Sequence, residues 1–162
     1  MPQMQNSSLS GLEYKNYIGV KLIQAVSCSF YAYHAFKSLP LPRGVADSEG
    51  YLVKYPDGYI SWSPKKVFES AYFEIDKSNS LTNDDIDKFV RKGTITTTKI
   101  GVKTTLVEFV APTGFTEYAT SSCVDPANYD ENLGHTYAMK DITKNLWKYL
   151  GFMLQWAKYG LK

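Results

Sequence analysis

Between Gly114 and Gly151 the chain reads GFTEYATSSCVDPANYDENLGHTYAMKDITKNLWKYLG, which spells out a strand, a proline-marked turn and a capped helix in succession. Phe115 to Ser121 is a β-rich run. Pro126 cannot continue it, because proline brings no N–H to a ladder and fixes its own φ. Asn128 then stands as a helix N-cap with Glu131 three residues on, a variant of the capping box in which each side chain satisfies a backbone N–H of the first turn. Leu133, Tyr137, Ile142, Leu146, Tyr149, Met153 and Trp156 recur at helical spacings, so one apolar face of a long C-terminal helix can cover a sheet. Gly134 and Gly151 interrupt that helix, each at a cost of roughly 1 kcal/mol against Ala. Close approach of another backbone would explain them, and so would a kink or an early helix end at Gly151.

Strands to lie under the helix precede it. TITTTKIGVKTTLVEFVA is rich in Thr, Ile and Val, with Lys99 to Val102 as the turn of a hairpin. Pro112, Thr113 and Gly114 turn the chain into the third strand. Ahead of these, Thr82 caps a helix whose first turn holds Asp84 and Asp85 against the positive helix N-terminus, while Arg91 and Lys92 lie near its other end and Gly93 stops it.

In the N-terminal half, Tyr17 to Val26 places Ile18, Val20 and Leu22 on one side and Lys21 on the other, the alternation of a half-buried strand. Ser27 or Ser29 caps a short helix through Phe30, Tyr33, His34 and Phe36, ended by Pro40 and Pro42. The runs Tyr51 to Tyr55 and Tyr59 to Trp62 flank Pro56-Asp57-Gly58, a hairpin in which Pro presets φ and Gly supplies positive φ at little steric cost. Ser63 is an N-cap for a helix with Pro64 at its first position and Val67, Phe68 and Ala71 as its apolar stripe. Tyr72 to Ile75 returns as a strand, and residues 76–80, DKSNS, read as a linker. The fold class is therefore α+β: residues 12–76 form an N-terminal strand-helix-hairpin-helix module, and residues 77–162 a small antiparallel sheet covered by a long C-terminal helix. The polar head, residues 1–11, is expected to fray.

Composition narrows the function classes. The chain has 162 residues, 44% of them apolar and 15% aromatic, which is enough for a core and rich in rings that serve binding surfaces. Net charge is only +2, Arg43 and Arg91 are the sole arginines, and charges are interspersed, so duplex nucleic acid is disfavoured as a partner. Cys28 and Cys123 stand alone, as expected of a reduced protein of the cytoplasm. Residues 1–10 lack a signal-peptide pattern, and no apolar run approaches a membrane span, so no membrane partner is expected.

The patterns Gly114-Phe-Thr, Ser121-x-Cys-Val-Asp-Pro-x-Asn-Tyr-Asp-x-x-x-Gly134 and Trp147-x-x-x-Gly-Phe152 resemble the C-terminal part of a bacteriophage family named after coliphage gene product 49 and its gene product 66 relatives. That resemblance implies a phage or prophage origin without implying a chemistry. The segment from Tyr17 to Ile75, with its YPDGYISWSP hairpin, resembles a small module of phage accessory proteins. Its Trp62-x-Pro64 element is similar to another small phage domain, some members of which sequester nucleotide-derived immune signals.

Catalysis finds little support in the residues. His34 and His135 lie in no catalytic motif, neither Gly-x-Ser-x-Gly nor a phosphate loop occurs, and Cys123 reads as a small buried hydrophobe rather than a nucleophile. Two histidines and two cysteines in separate segments make no metal-ligand spacing, so neither metal nor cofactor is expected. Asp84, Asp85 and Asp87 read as compensation of a helix dipole, and Asp125 and Asp130 as cap or turn residues. The candidate ligand-binding residues are Tyr55, Tyr59 and Trp62 with Lys54 and Arg43, because rings with cations around them suit a nucleobase and its phosphates. Lys99 and Lys103 could extend such a surface. Core packing competes for the same rings, since alternate residues of a hairpin must face inward. The expected function is that of a non-enzymatic phage accessory protein. It is expected to bind a small ligand, a nucleotide-like one being one example, or a host protein in the host cell cytoplasm, with the countering of host defence as one purpose such binding could serve. A structural or minor virion component, or a single-stranded nucleic-acid binder, is the alternative. Unpaired sheet edges beside a long apolar helix also suggest a homo-oligomer.

Overall fold

The computed structural model describes residues 13–162, in the order β1 (Gln24–Ser27), α1 (Phe30–Phe36), β2 (Gly50–Lys54), β3 (Ile60–Pro64), α2 (Lys65–Ala71), α3 (Asn83–Arg91), β4 (Thr94–Ile100), β5 (Thr104–Val110), β6 (Thr116–Ser122) and α4 (Glu131–Tyr159). The strands form two separate antiparallel three-stranded sheets, β1-β2-β3 and β4-β5-β6. This is the α+β architecture expected, with the long C-terminal helix lying across the second sheet. Among the described residues no helix is long and apolar enough to cross a membrane. The polar head, residues 1–11, lies outside the described residues.

The hairpin turn forms as its residues dictate. The Gly58 N–H donates to the Tyr55 carbonyl at 2.9 Å, Gly58 takes φ +87°, and the Asp57 carboxylate accepts from the Tyr59 N–H at 2.9 Å. The first strand is shorter than its alternation suggests. β2 ends at Lys54, opposite Gln24, so residues before Gln24 have no neighbour to pair with, and Ile18 is 84% exposed. Ser29 caps α1 by accepting from the Ala32 N–H. Ser63, in contrast, stays in β3 paired with Tyr51, leaving Pro64 as the N-cap of α2 without a side-chain hydrogen bond. Tyr72 to Ile75 forms no strand; Phe73 instead packs its ring edge-on against Phe89, 5.4 Å between centroids.

The second sheet carries the core. Along β5, Thr105, Val107 and Phe109 point to one face and are fully buried, the period-2 pattern of a central strand with one covered side. Ile86 and Phe89 of α3 and Ala138, Ile142 and Leu146 of α4 close over them. The buried line of α4 is Gly134, Ala138, Ile142 and Leu146, whereas Leu133 and Tyr137 face solvent. A Cβ on Gly134 would overlap the Thr105 hydroxyl, so small residues let the helix lie close to the sheet where bulky ones would hold it off. Gly151 has open space around it and the helix continues through it to Tyr159, so it does not end there.

Candidate functional site

Register decides which hairpin rings can act together. Leu52 is opposite Trp62 and Lys54 opposite Ile60, so these four share one face; Tyr51, Val53 and Tyr55 lie on the other, with Tyr59 alternating onto it. Trp62 meets Phe30 of α1 edge-on at 5.1 Å, and its indole N–H donates to the Cys28 carbonyl at 2.8 Å. Gly50 lies flush beneath it, since any Cβ there would overlap the indole. Trp62 is thus a half-buried packing residue between α1 and the sheet. Lys54 is exposed on this same face. Arg43 is exposed in the loop before β2, a loop tied to α1 by the Tyr31 phenol on the Val45 carbonyl at 2.6 Å and by the Tyr31 N–H on Asp47 at 2.8 Å.

Tyr55 and Tyr59 do come together. Their ring centroids are 5.9 Å apart at an interplanar angle of 32°, and Tyr59 is 63% exposed. Lys21 places its ammonium 5.3 Å from the Tyr55 ring centroid, a cation that the alternation of residues 17–26 put on the polar side without indicating its neighbour. Tyr72 stands beside Tyr55, and its phenol is pushed up by burial first and by Tyr55 second. Farther along the face Phe68 stacks between Tyr51 at 4.2 Å and Tyr72 at 4.9 Å, and the Tyr51 phenol donates to Glu69 at 2.8 Å, which raises its pKa.

A second candidate lies where the motif from Ser121 to Gly134 wraps around the start of α4. Pro126–Asn128 forms its own 3-10 turn, capped by Asp125, whose carboxylate accepts from the Ala127 N–H at 2.9 Å. The N-cap of α4 is therefore Asp130, accepting from the Leu133 N–H at 3.0 Å, and not Asn128, which the 3-10 turn consumes. An open cleft of about 150 Å³ lies here, with Lys103, Ser121, Cys123, Tyr129 and Asp130 in its walls and buried Thr105 in its floor. The Thr105 hydroxyl donates to the Tyr129 phenol at 3.2 Å, and Lys99 lies 4.1 Å from the Tyr129 ring centroid. Cys123 is half-buried rather than buried, its thiol 3.1 Å from the Asp125 carbonyl. His135 is held by Thr97, whose hydroxyl is 2.7 Å from Nδ1. Among the described residues no three His, Cys, Asp or Glu side chains gather as a metal-holding set. Capping already occupies Asp125 and Asp130, and the cleft is well below the roughly 300 to 1,000 Å³ of sites for drug-sized ligands. It suits an ion or a group of a few atoms.

No curated protein and no solved structure matches the chain. A family does: the cleft, the second sheet and nearly all of α4 fall within residues 81–157, which match the phage protein (N4 Gp49/phage Sf6 gene 66) family.

Proposed function

We propose that the chain is a phage accessory protein that acts by binding rather than by catalysis, and that the Tyr55–Tyr59 face of its N-terminal hairpin takes a planar, nucleotide-like ligand in the infected host cell. The observation that carries this reading is the exposed Tyr59 ring beside Tyr55, with the Lys21 ammonium at 5.3 Å from the latter's centroid. A base can stack on such a ring pair, and a lysine at its margin can pair with the attached phosphate. Sequestering a nucleotide-derived signal would counter host defence. Trp62 and Lys54 are left out of this contact set because they share the sheet face that meets α1, and Arg43 because it lies in the loop tied to α1.

Titration calorimetry with AMP, GMP and a cyclic dinucleotide tests the proposal. Stacking contributes roughly 1 to 3 kcal/mol per base, so Tyr59→Ala should weaken the nucleotide that binds about tenfold or more while leaving the melting temperature unchanged. Absence of binding by all three at millimolar concentration would overturn the nucleotide assignment. Stoichiometric recovery of the chain from purified phage particles by mass spectrometry would replace it with a virion role.

A further inference from the structure

Residues 13–23 run into β1 without a turn or bend, and no backbone group among them is hydrogen-bonded to another described residue. Lys21 nevertheless lies against Tyr55, on the face that β1 shares through Ala25 opposite Val53. The alternation of β1 therefore carries on at least to Lys21, past the end of β2. β1 itself is an edge strand with all four residues exposed. The Cys28 N–H donates to the carbonyl of Gly50 directly opposite, which turns the backbone groups of Val26 and Gln24 toward β2 and those of Ala25 and Ser27 outward. Tyr14, Tyr17, Ile18 and Val26, on this arm and edge, are 89%, 88%, 84% and 59% exposed. An open edge continued by an unpaired apolar arm is what a strand from another chain completes.

We infer that a second copy supplies that strand: residues 13–27 of two chains pair antiparallel about a twofold axis at Val20. The residues specify this register, because they are nearly palindromic in kind about that position. On one face Val20 meets Val20, Ile18 meets Leu22, Tyr14 meets Val26 and Asn16 meets Gln24; on the other Gly19 meets Lys21, Tyr17 meets Ile23, Lys15 meets Ala25 and Glu13 meets Ser27. Each of the four exposed apolar side chains gains an apolar neighbour, and no charge stands opposite its like. Neighbouring registers lose this match. An axis at Ile18 sets Lys15 opposite Lys21, one at Gly19 sets Leu22 opposite Asn16 and Ile23 opposite Lys15, one at Lys21 sets that lysine opposite itself, and one at Leu22 sets Val20 opposite Gln24. In the chosen register odd residues face odd ones, the very residues whose N–H and C=O the β1 edge leaves free. The two sheets become one of six strands, joined over about 50 Å. Fifteen residues a side is short of the roughly 20 to 30 of a standard interface, so the dimer forms reversibly with concentration.

Sedimentation velocity of the full chain over a concentration series should show a monomer–dimer equilibrium, and substitutions at Gly19, which has open space around it, read the register. Gly19→Glu places two Glu–Lys21 pairs across the interface and should tighten the dimer about fivefold at low salt, whereas Gly19→Lys sets lysine opposite lysine and should weaken it about as much. Both should leave the melting temperature of the dilute monomer unchanged. In a Cys28→Ser, Cys123→Ser background, Val20→Cys should cross-link two chains on mild oxidation, since a directly opposed, non-hydrogen-bonded pair holds its Cα atoms about 4.5 Å apart. Leu22→Cys, whose copy lies four residues along the partner strand, should not. A chain that stays monomeric at millimolar concentration, equal effects of Gly19→Glu and Gly19→Lys, or cross-linking at Leu22 equal to that at Val20 would each overturn the proposal.

Discussion

The two sheets have the same strand number and the same antiparallel order, yet among the described residues the first buries one hydrophobic side chain, Val53, while the second shares in a buried cluster of eight. The difference lies in what covers them. α1 and α2 have seven residues each, about two turns, and neither carries a buried residue; α4 has 29 and lays four buried positions along the sheet. A strand can only bury what a partner element is long enough to reach. The first sheet is held instead by ring contacts and directed hydrogen bonds, Trp62 on Phe30 and Cys28, and Tyr51 on Phe68 and Glu69. Such a module should respond to the loss of single polar or aromatic contacts, where the other responds to loss of volume.

The sharpest way to break this contrast is Phe109→Ala in the second core. Fully buried, Phe109 should cost about 3 to 5 kcal/mol on truncation and lower the main thermal transition. Trp62→Ala should cost less, about 2 to 3 kcal/mol, because the ring is half-exposed, and should act locally. Hydrogen exchange should then quicken in β1 to β3 and stay slow in β5; a uniform loss of protection would show that the two sheets fold as one unit. Next come the two helix glycines. Gly134→Ala forces a methyl into Thr105 and should destabilise by about 1 to 3 kcal/mol, whereas Gly151→Ala, in open space, should stabilise by up to about 1 kcal/mol. Chemical denaturation of both variants reads the opposite signs directly. Gly58→Val places a β-branched residue at φ +87° and should cost about 1 to 2 kcal/mol; an unchanged melting temperature would contradict the turn geometry.

The smallest effect concerns pH. Asp76 is held below its ordinary value of 3.8, chiefly by the Lys88 ammonium at 3.0 Å and then by the Thr82 hydroxyl at 3.2 Å. A carboxylate with a lowered folded pKa stabilises above its ordinary value, and that contribution is lost as pH falls through the lower one. Lys88→Met should flatten this part of the stability profile in melts between about pH 2 and pH 5, leaving neutral pH little changed because the pair is exposed.

What was legible in the residues is what is local. Pro56-Asp57-Gly58 carries its own φ preferences, and Thr82 caps α3 as expected, although Asp85, read as compensation of the helix dipole, is instead a buried partner in a capping box with it. What was illegible depends on distant neighbours. Ile18, Val20 and Leu22 alternate well enough, but β2 is too short to pair with them. The buried line of α4 runs through Gly134 and Ala138, residues of little hydrophobicity, because closeness to Thr105 mattered more than apolar size; the bulkier Leu133 and Tyr137 drew the eye instead. Of the hairpin rings, the pairing of Tyr55 with Tyr59 follows from the turn, whereas the opposite facing of Trp62 follows from register against Tyr51 to Lys54. Asn128 offered a good cap, yet Pro126 used it for a turn of another kind.

Asp85 has no exposed surface, and its carboxylate takes three hydrogens: the Thr82 N–H at 2.8 Å, the Thr82 hydroxyl at 2.9 Å and the Asp76 N–H at 3.0 Å. The third of these belongs to the segment before α3. With Phe73 on Phe89 and Asp76 on Lys88 it fastens residues 73–76 to the start of the family region. Anyone cutting the chain to express the C-terminal part alone thus inherits a constraint that matching by family boundaries conceals. A fragment beginning at residue 81 leaves Asp85 short of a donor and bares one side of Phe89, while one beginning at residue 72 retains both.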